Sequence, residues 1–208
     1  MTVRAYAPAS IGNFAAGFDV LGAALAPSDG SLWGDVVEAD MRTGSGPVEL
    51  RVQGPYAGAL PDRVDDNLAV VCYGLFRDQM RKQGREVSSV SLTLHKNLPL
   101  CSGLGSSSSS IVATLVALDQ LHENPLDRRV LLELAAKAEG RFSGASHYDN
   151  VAPCLMGGLR LITGGLFPST SSGASLPLSE ELPFFEHWFI AVVHPDLSVP
   201  TEKARAVI

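Results

Sequence analysis

A chain of 208 residues that is 46% hydrophobic and 18% charged, with 20 Gly and 13 Pro, has an ordinary globular balance and the length to bury a sizeable core. Its formal charge of −6 offers no attractive field for nucleic acid or anionic lipid. No run approaches the roughly 18 unbroken apolar residues of a membrane span, and MTVRAYAPAS lacks the apolar core of a secretory signal. Cys72, Cys101 and Cys154 are few, scattered and without CxxC spacing, which argues against a disulfide framework or a thiolate metal site and favours a reduced, cytoplasmic compartment.

Val3–Ala7 and Asp35–Ala39 read as short strands on either side of a Gly- and Ala-rich loop, and a third strand is expected at Val48–Val52. Asp66-Asn67 starts an amphipathic helix, with Leu68, Val71, Leu75 and Phe76 at helical spacing. Val90, Leu92 and Leu94 alternate with Ser91 and Thr93, the period of a half-buried strand. The turn-rich Leu98–Gly105 leads into an apolar helix over 107–121, and a second helix is expected over 127–139. Gly140–Asn150 reads as a polar turn before an apolar stretch and a strand at Leu159–Ile162. A low-complexity loop, expected to be mobile, occupies Ser169–Ser175. Trp188–Val193 reads as a buried strand, and a helix begins at Thr201. Strands fall before or between helices without regular βαβ alternation, which predicts α+β with a mixed sheet. Ile208 stands inside a helical pattern without a cap, so the chain is expected to be a truncated piece of a longer protein.

The most informative motif is Pro99-Leu100-Cys101-Ser102-Gly103-Leu104-Gly105-Ser106-Ser107-Ser108-Ser109, between a strand and an apolar helix. Two glycines let the backbone turn sharply and approach a ligand closely. Serines at a helix amino terminus offer hydroxyls and unpaired N–H donors at the positive end of the macrodipole, a seat for phosphate. An acidic protein that binds ATP must do so locally in this way. No Lys follows the glycines, so this is not a Walker loop, and GLGSSS departs from the dinucleotide fingerprint. A Gly/Ser linker that happens to precede a helix is the plain alternative.

Two further segments carry polarity of uncertain purpose. In APASIGNFAAGFDVLGAAL, Asn13 and Asp19 are the strongly polar side chains, and Asp19 among Phe18, Val20 and Leu21 is either part of an Asx turn or a charge that needs a partner. Glu139 is expected to end a helix, where a carboxylate opposes the macrodipole, so it is either solvated or meets a cation. After it, GRFSGASHYDNVAP crowds His147, Asp149 and Asn150 together.

These segments together resemble the GHMP kinases, and within them the homoserine kinases. PLCSGLGSSSSS is similar to the central GHMP motif Pro-x-x-x-Gly-Leu-Gly-Ser-Ser-Ala, with Ser108 and Ser109 where small residues are usual. PASIGN followed by GFDVLG, and AEGRFSGASHYDNVAP, look like family-specific homoserine kinase motifs. The resemblance implies ATP and Mg²⁺ as cofactors, with Pro99 through Ser109 cradling ATP, Asn67 shaping the adenine pocket, and Glu139 with Ser107 holding the metal. It implies Asn13 at the substrate hydroxyl, Asp19 on the substrate ammonium group, His147 on the amino-acid substrate and Arg205 on its α-carboxylate, a task suited to a planar fork.

Where related kinases carry a catalytic Asp, Asn150 is the best match. Asn13 and Asn150 are therefore the expected catalytic pair, and Asp149 takes the place of Asn150 if the register shifts by one. The implied activity is phosphoryl transfer from ATP to the hydroxyl of L-homoserine, giving O-phospho-L-homoserine on the route to threonine. The implied fold is a GHMP amino-terminal domain over 1–165, two-layered and like domain 2 of ribosomal protein S5, then the start of a ferredoxin-like carboxy-terminal domain over 166–208. A homodimer fits the resemblance. Another GHMP small-molecule kinase, or a truncated nucleotide-binding fragment without catalysis, are the readings left open.

Overall fold

A computed structural model of the chain describes residues 2–15, 17–43, 46–61, 63–143, 147–163, 178–185 and 187–193. In chain order its strands and helices are β1 (Thr2–Pro8), β2 (Ser10–Gly12), β3 (Leu21–Ala24), β4 (Gly34–Met41), β5 (Glu49–Gln53), α1 (Leu68–Lys82), β6 (Val90–His95), α2 (Ser106–Leu121), α3 (Arg128–Ser143), α4 (Val151–Met156), β7 (Leu159–Ile162) and β8 (Ser179–Leu182).

Apolar alternation builds the first sheet, in the order β1-β4-β6-β5. Val3 lies opposite Ala39 and Ala5 opposite Val37, while Val37 faces Leu94 and Ala39 faces Leu92 on the next strand. All six are buried and form one covered face. The β5–β6 pair is parallel, joined through α1, and the other pairs are antiparallel, so the sheet is mixed as expected. Helices α1, α2 and α3 make the second layer, with α2 against β1 and β4. Because α2 has the sheet on one side and α1, α3 and α4 on others, it is apolar nearly all round. Asn67 caps α1 by accepting from Ala69 N at 3.0 Å, a contact worth about 1 kcal/mol. Val71, Cys72, Phe76 and Met80 then face inward from that helix.

The second sheet, β2-β3-β7-β8, is antiparallel throughout, and α4 packs on β3 and β7. Here the structure departs from the sequence reading. The Gly- and Ala-rich stretch expected to be a loop contains β2 and β3; β7 supplies a ladder for β3, and β3 in turn pairs with β2, which their weak β propensity would not predict. The stretch read only as apolar contains helix α4, with Pro153 in its first turn, where Pro is tolerated. Strand β8 was also not expected, and it pairs with β7 across the anticipated boundary at 165.

The largest correction is Trp188–Val193, which forms no strand. Trp188 is 55% and Phe189 81% exposed. β propensity is realised only against a partner, and among the described residues no strand pairs with this run. Helix α3 continues to Ser143, so Glu139 lies one turn inside it, and the expected polar turn at 140–150 begins as helix. The low-complexity loop at 169–175 and the helix beginning at Thr201 lie outside the described residues. Among those residues no helix is long and apolar enough to cross a membrane.

Candidate active site

Three segments distant in sequence meet at the amino-terminal end of α2: residues 10–15 with 17–19, the loop 97–105, and the turn 147–150. Ser10 N donates to Leu104 O at 3.1 Å, and Ser10 Oγ donates to Asn150 Oδ1 at 3.0 Å. Asn13 N donates to Asp149 Oδ2 at 3.0 Å. Close approach of the loop depends on Gly105, the residue before α2, whose φ of 61° is left-handed. A Cβ there would lie 2.0 Å from Ser10 Oγ.

The serines divide into two sets. Ser106 Oγ donates to Leu98 O at 3.1 Å, and Ser109 Oγ donates to Ala7 O at 2.7 Å while accepting from Asp35 N. These hydroxyls are therefore held inside the fold, and what Ser106 has to offer a nucleotide is its backbone N–H. The first helical bond of α2 runs from Ser109 N to Gly105 O, so the N–H groups of Ser106, Ser107 and Ser108 come before the helical ladder, as the anion-binding geometry requires. Ser107 Oγ and Ser108 Oγ turn the other way, donating to Glu139 Oε1 at 2.9 Å and Oε2 at 3.4 Å. Ser102 Oγ donates to Pro99 O at 2.9 Å, closing the loop's first turn.

Glu139 reaches this place from α3. Burial pushes its carboxyl above the ordinary value; bonds from Ser107 and Ser108 oppose the rise and the Asp149 charge adds to it. One carboxylate and two hydroxyls are hard oxygen donors, the set Mg²⁺ accepts when phosphates and water complete its shell. Among the described residues no cluster of three or more His, Cys, Asp or Glu is arranged to hold a metal on its own.

On the other side, Asn13 and Asp19 both have left-handed φ, 53° and 57°. Asn13 Oδ1 accepts from Asp19 N at 2.7 Å, and Asp19 Oδ1 lies 3.3 Å from His147 Nδ1. Asp19 keeps 34% of its side chain exposed, whereas Asp149 is 1% exposed. The structure thus brings Asn13, Asp19, His147, Asp149 and Asn150 together with the loop. Asn67 is a helix cap with its carbonyl oxygen engaged, and Arg205 lies outside the described residues.

Sequence reasoning missed Ser10, Asp35, Lys96 and Ser110. Two of them were signalled: Lys96 continues the buried phase of Val90, Leu92 and Leu94, and Asp35 that of Val37 and Ala39. A charge on the inward phase of a strand asks for its counter-charge.

The cysteines give a direct check on the loop. Cys101 is exposed within it, while Cys72 and Cys154 are buried, with burial raising the Cys154 thiol to about 12 and Cys72 further. A thiol reagent is expected to modify Cys101 alone in native protein and all three cysteines in denaturant. Mg-ATP is expected to slow the native reaction. Labelling of Cys72 or Cys154 at the rate of Cys101 contradicts the packing.

A fold of this topology with a glycine–serine loop before its central helix defines a class. The family model described as GHMP kinases N terminal domain matches residues 67–158, which identifies that stretch as a GHMP kinase amino-terminal domain. Its structure is similar to that of homoserine kinase from Cytophaga hutchinsonii ATCC 33406, at TM-score 0.76 and 31% identity, over 99% of this chain and 59% of that one. The chain therefore spans 59% of the length of that relative. Mevalonate kinase from Methanococcus jannaschii (TM-score 0.55, 13% identity, 77% of this chain and 52% of that one) and phosphomevalonate kinase from Streptococcus pneumoniae (0.54, 19%, 77% and 47%) share the fold.

Proposed function

We propose that the protein is a homoserine kinase, transferring the γ-phosphoryl group of ATP to the hydroxyl of L-homoserine. The observation that carries this reading is the meeting of Ser107 and Glu139 at the start of α2, while Ser10 ties the loop at Leu104 to Asn150, and Asn13 ties Asp149 to the Asp19–His147 pair. One side suits a phosphate with its cation, and the other suits a small amino acid. The 31% identity to a homoserine kinase supports the choice of acceptor. The three free cysteines favour a reduced compartment, the cytoplasm.

In this reading the loop 99–109 cradles ATP and receives its phosphates on backbone N–H groups, those of Ser106, Ser107 and Ser108 among them. Ser107 and Glu139 hold Mg²⁺, which when bound neutralises phosphate charge. Asn67 borders the adenine. Asp19 takes the homoserine ammonium group with His147 beside it, and Arg205 takes the α-carboxylate. Asn13 and Asn150 orient the hydroxyl toward the phosphorus. An amide cannot accept the hydroxyl proton, so that proton passes to the transferring phosphoryl oxygen as the new O–P bond forms and the bond to ADP breaks. Catalysis then rests on positioning and charge neutralisation. Asp149, buried and accepting from Asn13 N, holds the first segment in place.

The test is ADP release with Mg-ATP and L-homoserine, L-serine, mevalonate or no acceptor. Homoserine-dependent turnover is the expected result. Turnover with mevalonate in its place, or tight ATP binding with transfer to none of the acceptors, overturns it.

A further inference from the structure

Asp35 and Lys96 form an ion pair at the base of the glycine–serine loop, 0% and 1% exposed. The loop between them and α2 has little apolar anchorage of its own beyond Leu98 and Leu104. Its backbone turns through left-handed φ at Cys101, Gly103 and Gly105, a conformation that surroundings must impose.

The pair grips both ends of that loop. At the upstream end, Asp35 Oδ1 accepts from Asn97 N at 2.8 Å and Leu98 N at 3.1 Å, while Asn97 Nδ2 donates to Gly34 O. At the downstream end, Lys96 Nζ donates to Ser106 O at 2.8 Å and to Ser110 Oγ at 3.0 Å. Asp35 Oδ2 accepts from both Lys96 Nζ and Ser110 Oγ. An ammonium has three donors and a carboxylate about four acceptor positions, so this network is filled.

Two consequences follow from that count. First, the Lys96 ammonium is fully occupied inside the fold, so it is not the phosphate-binding lysine of a Walker loop. Second, a buried ion pair is seldom more stabilising than apolar residues of similar size, whereas it is far more directional. What this pair supplies is the position of the loop ends.

We infer that Asp35 and Lys96 are positioning residues for phosphoryl transfer. They fix residues 97–98 against Ser106 and Ser110, so that the loop's N–H groups are set before ATP arrives. The inference rests on reading the loop as the ATP site.

The experiment compares the parent chain with the double variant Asp35→Leu/Lys96→Met, which replaces the pair by apolar residues, and with Ser110→Ala, which removes one bridge and leaves both charges. Four quantities are read: thermal unfolding, amide hydrogen exchange over 97–107, Kd for Mg-ATP, and kcat with KM for each substrate. In the double variant exchange should quicken and Kd for Mg-ATP rise by about tenfold or more, since the loop must now be ordered on binding. Its kcat should fall by about 100-fold, with KM for homoserine changed by less than about threefold.

Ser110→Ala should fold and shift exchange and Kd in the same direction by a smaller factor, and it decides the matter if the double variant does not fold. A folded variant with parental exchange over 97–107 and parental Mg-ATP affinity overturns the inference, even if its unfolding temperature has dropped. A parent chain that binds no Mg-ATP sinks the nucleotide reading instead, and the exchange comparison still decides whether the pair holds the loop.

Discussion

Glu139→Gln is expected to abolish most turnover and yet make the protein more resistant to heat. The side chain keeps its size and can still bond Ser107 and Ser108, so packing between α3 and α2 is preserved. What is lost is the charge that would hold the cation, and removing one such electrostatic contact typically lowers kcat by about 100- to 1,000-fold. The gain in stability has a definite sign. Folding raises the Glu139 carboxyl above its ordinary value, chiefly by burial, so the ionised form is the one the fold disfavours. The carboxyl's favourable contribution is present below the ordinary carboxylate range and lost as pH rises through the raised value. The variant should therefore unfold at a higher temperature than the parent at neutral pH, with the gap closing in acid. Steady-state kinetics beside thermal scans at two pH values measures both. A Glu139→Gln protein with parental kcat would remove Glu139 from the site.

Gly22→Ala is expected to damage the site from behind. Gly22 lies in β3 opposite Gly12 on one side and Arg160 on the other, with the turn at Asp149 resting on it. A Cβ on residue 22 would lie 1.6 Å from the Asp149 carbonyl oxygen and 2.7 Å from its carbon. Both are backbone atoms, so no rotamer change relieves the clash, and the turn must move. Overpacking of this kind costs about 3 kcal/mol or more. Displacing Asp149 and Asn150 by even 1 Å is enough to lower turnover by about 100-fold. Chemical denaturation and turnover at a temperature where the variant is folded separate the two effects. A variant with parental stability and kcat would mean that the turn does not rest on β3 as described.

Much of the fold was legible because its signals are periodic. Val90, Leu92 and Leu94 announced β6 by alternation, and Leu68, Val71, Leu75 and Phe76 announced α1 by helical spacing. The position of the loop was legible too, since its two glycines stand between a periodic strand and an apolar helix. β2 and β3 were not, because Ser10–Gly12 and Leu21–Ala24 carry almost no β-forming residues; β3 pairs with a partner far along the chain, and β2 pairs only with β3. Trp188–Val193 failed in the opposite way, with strong intrinsic preference and no partner among the described residues. Within the site, no local pattern relates Ser107 to Glu139, which are 32 residues apart, and only the family resemblance joined them before the structure did. Lys96 and Asp35 were legible in principle, each on the inward phase of its strand.

The pairing of Leu21 with Leu161 and Ala23 with Leu159 also bears on how the chain survives its own synthesis. Emerging from the ribosome, the β2–β3 hairpin must wait for more than a hundred further residues before β7 exists to pair with its β3 edge. An unpaired strand edge in a nascent chain is an invitation to join the wrong neighbour. Segments that aggregate this way are rich in β-branched and aromatic residues, and Ser10–Gly12 with Leu21–Ala24 are mostly Gly, Ala and Ser instead. The poor strand-forming composition that hid these two elements from a reader of the sequence keeps them unattractive to other chains until their own partner arrives.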